Sequence, residues 1–178
     1  MLDQKGLQNL LKGIEAKNNL NVLQLDYLKD IKELTIVRSA GIHLLEHLLA
    51  VIRDLNSDIK LNLVTKSDNL KSLQVRYPNI DMIQYEHDGN FETEKLFELL
   101  KQYAYHHILI LYQNLWGTDY ANIEAAVEQF KDKKILFWNK DNQLLSSPNL
   151  QLKIANDRLM RALIEWYSVY RNNGGALK

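Results

Sequence analysis

Two histidines and a glutamate lie within five consecutive residues and could take part in metal chemistry. His43, Glu46 and His47 match H-x-x-E-H, and histidines four apart on a helix share one face, where they could bind one Zn²⁺ ion. The chain has no cysteine, so no thiolate can complete such a site. We favour the other interpretation, in which His47 is a half-buried helix residue and His43 faces a cleft from the first helical turn. We therefore predict no metal site.

A turn of small residues precedes these histidines. The turn Arg38-Ser39-Ala40-Gly41 follows the apolar run Thr35-Ile36-Val37 and leads into a helix. Its small residues would let the backbone approach a ligand closely, and the N-terminus of the helix favours an anion. The turn has a single glycine, so it does not match the dinucleotide pattern G-x-G-x-x-G. The chain also lacks a Walker A motif and a G-x-S-x-G motif. We predict no cofactor.

A second polar loop, residues 112–119, follows the fourth predicted strand. In an open parallel sheet, ligands bind at the carboxyl ends of the strands, where the strand order reverses, which brings this loop to the turn 38–41. Two alternatives stay open: Gln113 and Asn114 could cap the next helix, and Trp116 could be a packing residue. The predicted ligand-binding residues are Arg38, Ser39, Gly41, Thr65, Lys66, Gln113, Asn114, Trp116, Gly117, Thr118 and Asn139, with His43 as a catalytic candidate.

Strand and helix patterns alternate along the chain and predict the scaffold for this cleft. Five short apolar runs have a helical pattern between each pair, which is typical of an α/β fold with a parallel sheet. Right-handed crossovers favour the Rossmann-like strand order 3-2-1-4-5, with helices on both faces in three layers. The predicted strands cover residues 35–37, 59–65, 80–85, 107–112 and 134–138, and the helices between them cover about 42–55, 67–76, 93–105 and 119–130.

Helical patterns also lie at both ends of the chain. We predict an N-terminal helical extension over residues 1–31 and a Rossmann-like domain over residues 32–178 that ends in a long helix at about 150–171. That last helix has two apolar stripes, and Trp166, Tyr167 and Tyr170 could anchor a partner. One stripe can cover the sheet, and the second can pack on the N-terminal helix or on another subunit.

The composition excludes several classes of function. Among 178 residues, 22 basic and 22 acidic side chains balance to zero formal charge, which disfavours nucleic-acid binding. No apolar run approaches the length of a membrane span, and the start of the chain lacks the apolar core of a signal peptide. These patterns predict a cytoplasmic globular protein with a small-molecule partner, no nucleic-acid partner and no membrane span.

From Leu34 to about Leu144 the sequence resembles the N-terminal half of GT-B glycosyltransferases of the heptosyltransferase type. The resemblance rests on residues 36–41 (IVRSAG), 50–55 (AVIRDL), 61–66 (LNLVTK) and 77–85 (YPNIDMIQY). It implies a domain that holds the acceptor while a sugar is transferred from an activated donor. Two features depart from the family: Ile42 and His43 stand where it usually has a second glycine and an acidic residue, and only one predicted helix follows the fifth strand, with no counterpart of the donor-binding domain.

Three hypotheses follow. The first is a glycosyltransferase-related domain that binds a sugar, sugar-phosphate or nucleotide-sugar in the cleft, as part of or partner to a larger transferase, with His43 as a substitute general base. The second is a non-catalytic α/β module that forms a homodimer or docks on a partner subunit through its terminal helices. The third is a zinc enzyme that uses His43 and His47.

Overall fold

The computed structural model of the chain describes residues 22–147, except 88, 104, 105, 115, 116 and 118. These residues form an α/β unit with one mixed sheet of seven strands in the order β1-β7-β6-β5-β2-β3-β4. The strands are β1 (Val22–Leu23), β2 (Glu33–Val37), β3 (Lys60–Lys66), β4 (Asp81–Tyr85), β5 (His107–Leu111), β6 (Lys134–Trp138) and β7 (Leu144–Leu145). The helices are α1 (Ile42–Leu55), α2 (Ser67–Arg76), α3 (Thr93–Tyr103) and α4 (Ala121–Val127), with a 3-10 helix at Leu25–Asp30.

The five longer strands pair in parallel, in the order β4-β3-β2-β5-β6. This is the order predicted for the five parallel strands. The prediction of a five-stranded, wholly parallel sheet was wrong, because β7 pairs antiparallel with β6 and β1 pairs antiparallel with β7. Both added strands are two residues long, too short to show the alternation by which a strand is recognised in sequence.

Both faces of the central strands are buried, which is why they are apolar without a break. In β5, Leu109 and Leu111 belong to one apolar cluster, whereas Ile108 and Ile110 belong to the other. The first cluster contains residues of α1, α2 and the 3-10 helix, and the second contains residues of α3 and α4. Burying one leucine or isoleucine side chain contributes about 1.5–3 kcal/mol, so the two clusters hold the strand ends in a fixed register.

Helix α1 is the longest helix in the described part of the chain, and its apolar residues recur at helical spacing. Its inward face consists of Leu44, Leu45, Leu48, Leu49 and Ile52, all buried. The helix begins after Gly41, whose extended backbone forms the N-cap without a side-chain hydrogen bond. This start places the turn before α1 at the carboxyl end of β2, beside the loop that follows β5.

Two further predictions concern the segments at the ends of the chain. Residues 22–31, which belong to the segment predicted as a helical extension, contribute β1 and the 3-10 helix. The predicted helices in residues 2–17 and 150–171 lie outside the described residues, so dimerisation or docking through the terminal helices stays a prediction. Within the described part of the chain, no helix has both the length and the apolar character needed to cross a bilayer.

Candidate functional site

A cleft of about 530 Å³ opens at the carboxyl ends of β2, β3 and β5. The helix after β2 packs on one face of the sheet and the helix after β5 packs on the other, so the cleft lies where the strand order reverses. The residues that line it are Arg38, Ser39, Ala40, Lys66, Asp68, Asn69, Asn90, Phe91, Gln113, Asn114, Asp119, Tyr120, Asn122 and Ile123.

Hydrogen bonds join the turn after β2 to the loop after β5. The Ser39 hydroxyl donates to the Leu111 carbonyl at 2.6 Å, and the Gly41 N–H donates to Gln113 Oε1 at 2.7 Å. The Tyr120 hydroxyl donates to the Ser39 carbonyl at 3.2 Å and accepts the Gln113 N–H at 2.9 Å. The two walls of the cleft are therefore held together before any ligand binds.

The loop after β5 turns sharply at Gly117, which has a φ of +66°. Its N–H donates to Asn114 Oδ1 at 2.6 Å, and its carbonyl accepts the Tyr120 N–H at 3.2 Å. A Cβ atom at Gly117 would overlap the ring of Tyr112. Glycine is thus required here by both the backbone conformation and the lack of space.

A buried tyrosine and glutamate support this loop from below. Tyr112 is fully buried, and its hydroxyl donates a hydrogen bond to the buried carboxylate of Glu124 in α4. Its ring stacks on Phe137 at 5.2 Å between centroids and meets Tyr120 edge-on at 4.9 Å. Burial, followed by the Glu124 carboxylate, raises the pKa of Tyr112, so its hydroxyl stays a donor at neutral pH.

Alkaline pH is expected to destabilise the fold through Tyr112. The pKa is raised from its ordinary value of 10.0, so the folded chain keeps this proton where the unfolded chain loses it. The contribution of Tyr112 to the free energy of unfolding is therefore fully present below about pH 10. It falls by about 1.4 kcal/mol per pH unit above that pH. Urea unfolding from about pH 8 to about pH 11 should show a smaller loss in Tyr112→Phe than in the wild type.

The exposed Tyr103 provides the control for this measurement, because it is 45% exposed. Tyr103→Phe should keep the wild-type pH dependence. Tyr112→Phe should keep part of the loss, since burial also raises the pKa of Tyr120. Equal slopes in wild type and Tyr112→Phe would contradict the assignment of the alkaline transition to Tyr112.

Two cations, Arg38 and Lys66, belong to the lining of the cleft. Arg38 directly follows β2 and Lys66 ends β3, and the Arg38 N–H donates to the Val64 carbonyl at 3.0 Å. The Arg38 guanidinium also donates to Thr65 Oγ1 at 3.2 Å. Burial lowers the pKa of Arg38 and nearby Asp68 opposes this shift, yet the guanidinium stays charged at neutral pH.

The structure brings five of the eleven predicted ligand-binding residues into the lining of one cleft. Arg38, Ser39, Lys66, Gln113 and Asn114 line the cleft. The others have different positions: Thr65 and Gly41 bond to cleft residues, Gly117 is buried, Asn139 lies in the turn between β6 and β7, and Trp116 and Thr118 lie outside the described residues.

Asn139 serves the turn rather than the cleft. Its Oδ1 accepts the N–H groups of Asp141 at 3.1 Å and of Gln143 at 3.0 Å. Its Nδ2 donates to Gln143 Oε1 at 2.9 Å. The side chain is 1% exposed and shapes the approach to β7.

The histidine pattern of α1 lies on an exposed part of the helix. His43 and His47 are both exposed, whereas His47 was expected to be half-buried. His43 lies beside the turn, since a Cβ at Gly41 would come within 3.0 Å of its Nδ1, but it does not line the cleft. Glu46 forms a salt bridge with Arg76. Among residues 22–147, apart from the six undescribed positions, no group of three or more His, Asp or Glu side chains could hold a metal ion.

Sequence reasoning missed the cleft residues outside the two loops. Asp68, Asn69, Asn122 and Ile123 lie in the first turns of α2 and α4, and Asn90 and Phe91 lie between β4 and α3. Their position in the chain was the available signal, because the first turn of each helix lies on the same rim as the end of the strand before it.

Comparison of the chain with models of known protein families gives no match. Comparison with curated proteins gives no match either. No family is therefore assigned to the chain, and the residues of the cleft are the basis for a proposed function.

Proposed function

We propose that the chain is a Rossmann-like, glycosyltransferase-related domain that binds a sugar, sugar-phosphate or nucleotide-sugar in the cleft, as part of or partner to a larger transferase. The observation that carries the proposal is the lining, which combines five side-chain amides, two carboxylates and two cations with two aromatic residues. Amides can donate to and accept from the vicinal hydroxyls of a sugar, and carboxylates can accept from them, while the rings of Phe91 and Tyr120 can pack against its C–H face.

The position of the cleft supports the same proposal. Phosphorylated and nucleotide ligands of open α/β sheets bind at the carboxyl edge where the strand order reverses, which is where residues 38–40 and 113–114 meet. The preformed hydrogen bonds between the two walls reduce the conformational entropy that a ligand must remove on binding. A pocket of about 530 Å³ lies within the size range of small-molecule sites.

The catalytic candidate His43 is a separate matter from ligand binding in the cleft. His43 is outside the cleft lining but next to Gly41, whose N–H bonds to Gln113. A general-base role for His43 stays a prediction motivated by that proximity. It would be rejected if His43→Ala kept full transferase activity with an identified donor and acceptor.

Ligand binding can be tested by thermal unfolding with a panel of neutral sugars, sugar-phosphates and nucleotide-sugars. A ligand that binds only the folded chain stabilises it by about 2.7 kcal/mol at a hundred times its dissociation constant, so the unfolding midpoint should rise with ligand concentration. Asn69→Ala is expected to weaken binding about tenfold, because it removes a cleft amide that can bond to the ligand.

The matched control is Asn79→Ala. Asn79 is exposed and precedes β4 at the opposite end of the sheet, so its loss should leave binding unchanged. Failure of every member of the panel to raise the unfolding midpoint at millimolar concentration would overturn the proposed function. Equal weakening by the two alanine variants would instead locate the ligand away from the cleft.

A further inference from the structure

The two cations of the cleft carry charges that no carboxylate neutralises directly. Within the described residues, neither Arg38 nor Lys66 forms a salt bridge with a carboxylate. Arg38 Nε is buried and has no hydrogen-bond partner there. A half-buried guanidinium with an unused donor is costly unless an anion completes it.

Contacts with neighbouring residues position each cation in the cleft. Arg38 is held by Thr65 Oγ1 at 3.2 Å, and Lys66 Nζ lies 5.5 Å from the centre of the Phe91 ring, which is itself part of the lining. Arg38 follows β2 and Lys66 ends the neighbouring parallel strand β3, and both residues line the same cleft. Helix α2 begins directly after Lys66 without a side-chain cap, so its first N–H groups add to the positive potential.

We infer that the cleft is specific for a phosphorylated ligand, whose phosphate binds between Arg38 and Lys66 while its sugar reaches the amides of the β5 loop. This inference rests on the proposed function and narrows it, since a neutral sugar would leave both cations without an anion. The phosphate group can belong to a sugar monophosphate or to the diphosphate of a nucleotide-sugar. Its oxygens accept hydrogen bonds from both cations, and charge-assisted bonds of this kind are the strong ones.

One carboxylate sets the strength of this site. Asp68 lies in the first turn of α2, lines the cleft and interacts with Arg38 electrostatically. It repels a phosphate at the same position, although it is exposed and therefore largely screened. Asp119, the other carboxylate of the lining, belongs to the loop after β5 rather than to the α2 side. Removing the charge of Asp68 should consequently strengthen the binding of an anion.

Calorimetric titration with matched ligands tests the inference: glucose, glucose 6-phosphate, UDP-glucose and inorganic phosphate. A phosphorylated ligand should bind at least about tenfold more tightly than glucose, and added salt should weaken only the phosphorylated ligands. Lys66→Gln should abolish most of that difference, whereas Asp68→Asn should tighten phosphate binding severalfold. Lys66→Gln should change the affinity for glucose much less than the affinity for the phosphorylated ligands.

Lys134→Gln is the charge-matched control, because Lys134 begins β6 at the opposite end of the sheet and should leave every affinity unchanged. Arg38→Gln is a second cleft variant, and its folding can be checked by its urea midpoint, since it also loses the bond to Thr65. Tighter binding of glucose 6-phosphate than of UDP-glucose would identify a sugar monophosphate as the ligand, and the reverse a nucleotide-sugar.

The outcomes distinguish the phosphate site from sugar binding in general. Equal affinity for glucose and glucose 6-phosphate, unchanged in Lys66→Gln, would overturn the phosphate site and leave sugar binding intact. Binding of phosphorylated ligands that Asp68→Asn weakens would also overturn it. The absence of binding by all four compounds would overturn both.

Discussion

Replacing Gly117 with alanine is expected to lower the free energy of unfolding by about 3 kcal/mol, because two separate costs add. The backbone at Gly117 has a φ of +66°, where a Cβ is strained in any surroundings. The new Cβ would also overlap the ring of Tyr112, which is fully buried against Phe137 and Tyr120. Tyr112 cannot move aside without disturbing its hydrogen bond to Glu124.

Gly89 supplies the control for Gly117, since it has a φ of +80° and a Cβ added to it would meet nothing within 4 Å beyond its chain neighbours. Gly89→Ala should therefore show the backbone strain alone, about 1 kcal/mol. Urea unfolding of both variants measures the difference. If the two losses were equal, the contact with Tyr112 would contribute nothing, and lack of space would no longer explain the glycine at position 117.

The second large effect is expected at Asn56, which follows α1. Its Nδ2 lies 2.9 Å from the Ile31 carbonyl, 3.0 Å from the Lys29 carbonyl and 3.3 Å from the Leu28 carbonyl. The side chain thus holds the end of the 3-10 helix against the end of α1. Asn56→Ala should lower the free energy of unfolding by about 2 kcal/mol, because buried carbonyls lose a donor.

Asn56→Asp is expected to be worse than alanine, at about 3 kcal/mol, although it is closer in shape to asparagine. It replaces the NH₂ group with a carboxylate oxygen that faces the same carbonyl oxygens. The repulsion raises the pKa of the new carboxyl group, and its protonated form can donate again. The deficit relative to wild type should therefore shrink as pH falls through that pKa.

Chemical denaturation of the three proteins at neutral and acidic pH tests this order. Asn56→Ala, which introduces no titratable group, should keep the same deficit at both pH values. An aspartate variant as stable as wild type at neutral pH would show that Nδ2 is not the donor to these carbonyls.

The sequence predicts the regular part of the fold well, for a physical reason. Helix α1 has the predicted bounds because its buried face imposes a helical period on the apolar residues, and strand β6 has them because both of its faces are buried and its apolar residues form an unbroken run. The pairs Val22-Leu23 and Leu144-Leu145 were not recognised as strands. A two-residue strand has no period, and its partner is a distant segment that the local sequence does not encode.

The site was predictable to the level of its two loops. Topology alone places Ser39 and Gln113 together, and they do line one cleft. What local sequence could not indicate is which polar residues the fold uses for itself. Asn139 bonds within its own turn, while Asn69 and Asn122, which look like ordinary helix residues, line the cleft.

Strands β1 and β7 have a consequence for the architecture of the unit as a whole. Val22 is the partner of Leu145, so the chain enters and leaves the sheet at adjacent positions. A short peptide could join these positions, and a new opening at the exposed Asp132, which precedes β6 at the end of the sheet opposite the cleft, would give a circularly permuted chain with the same sheet. The order in which the strands are joined is thus separable from the order in which they pack, and the loops that line the cleft would be kept.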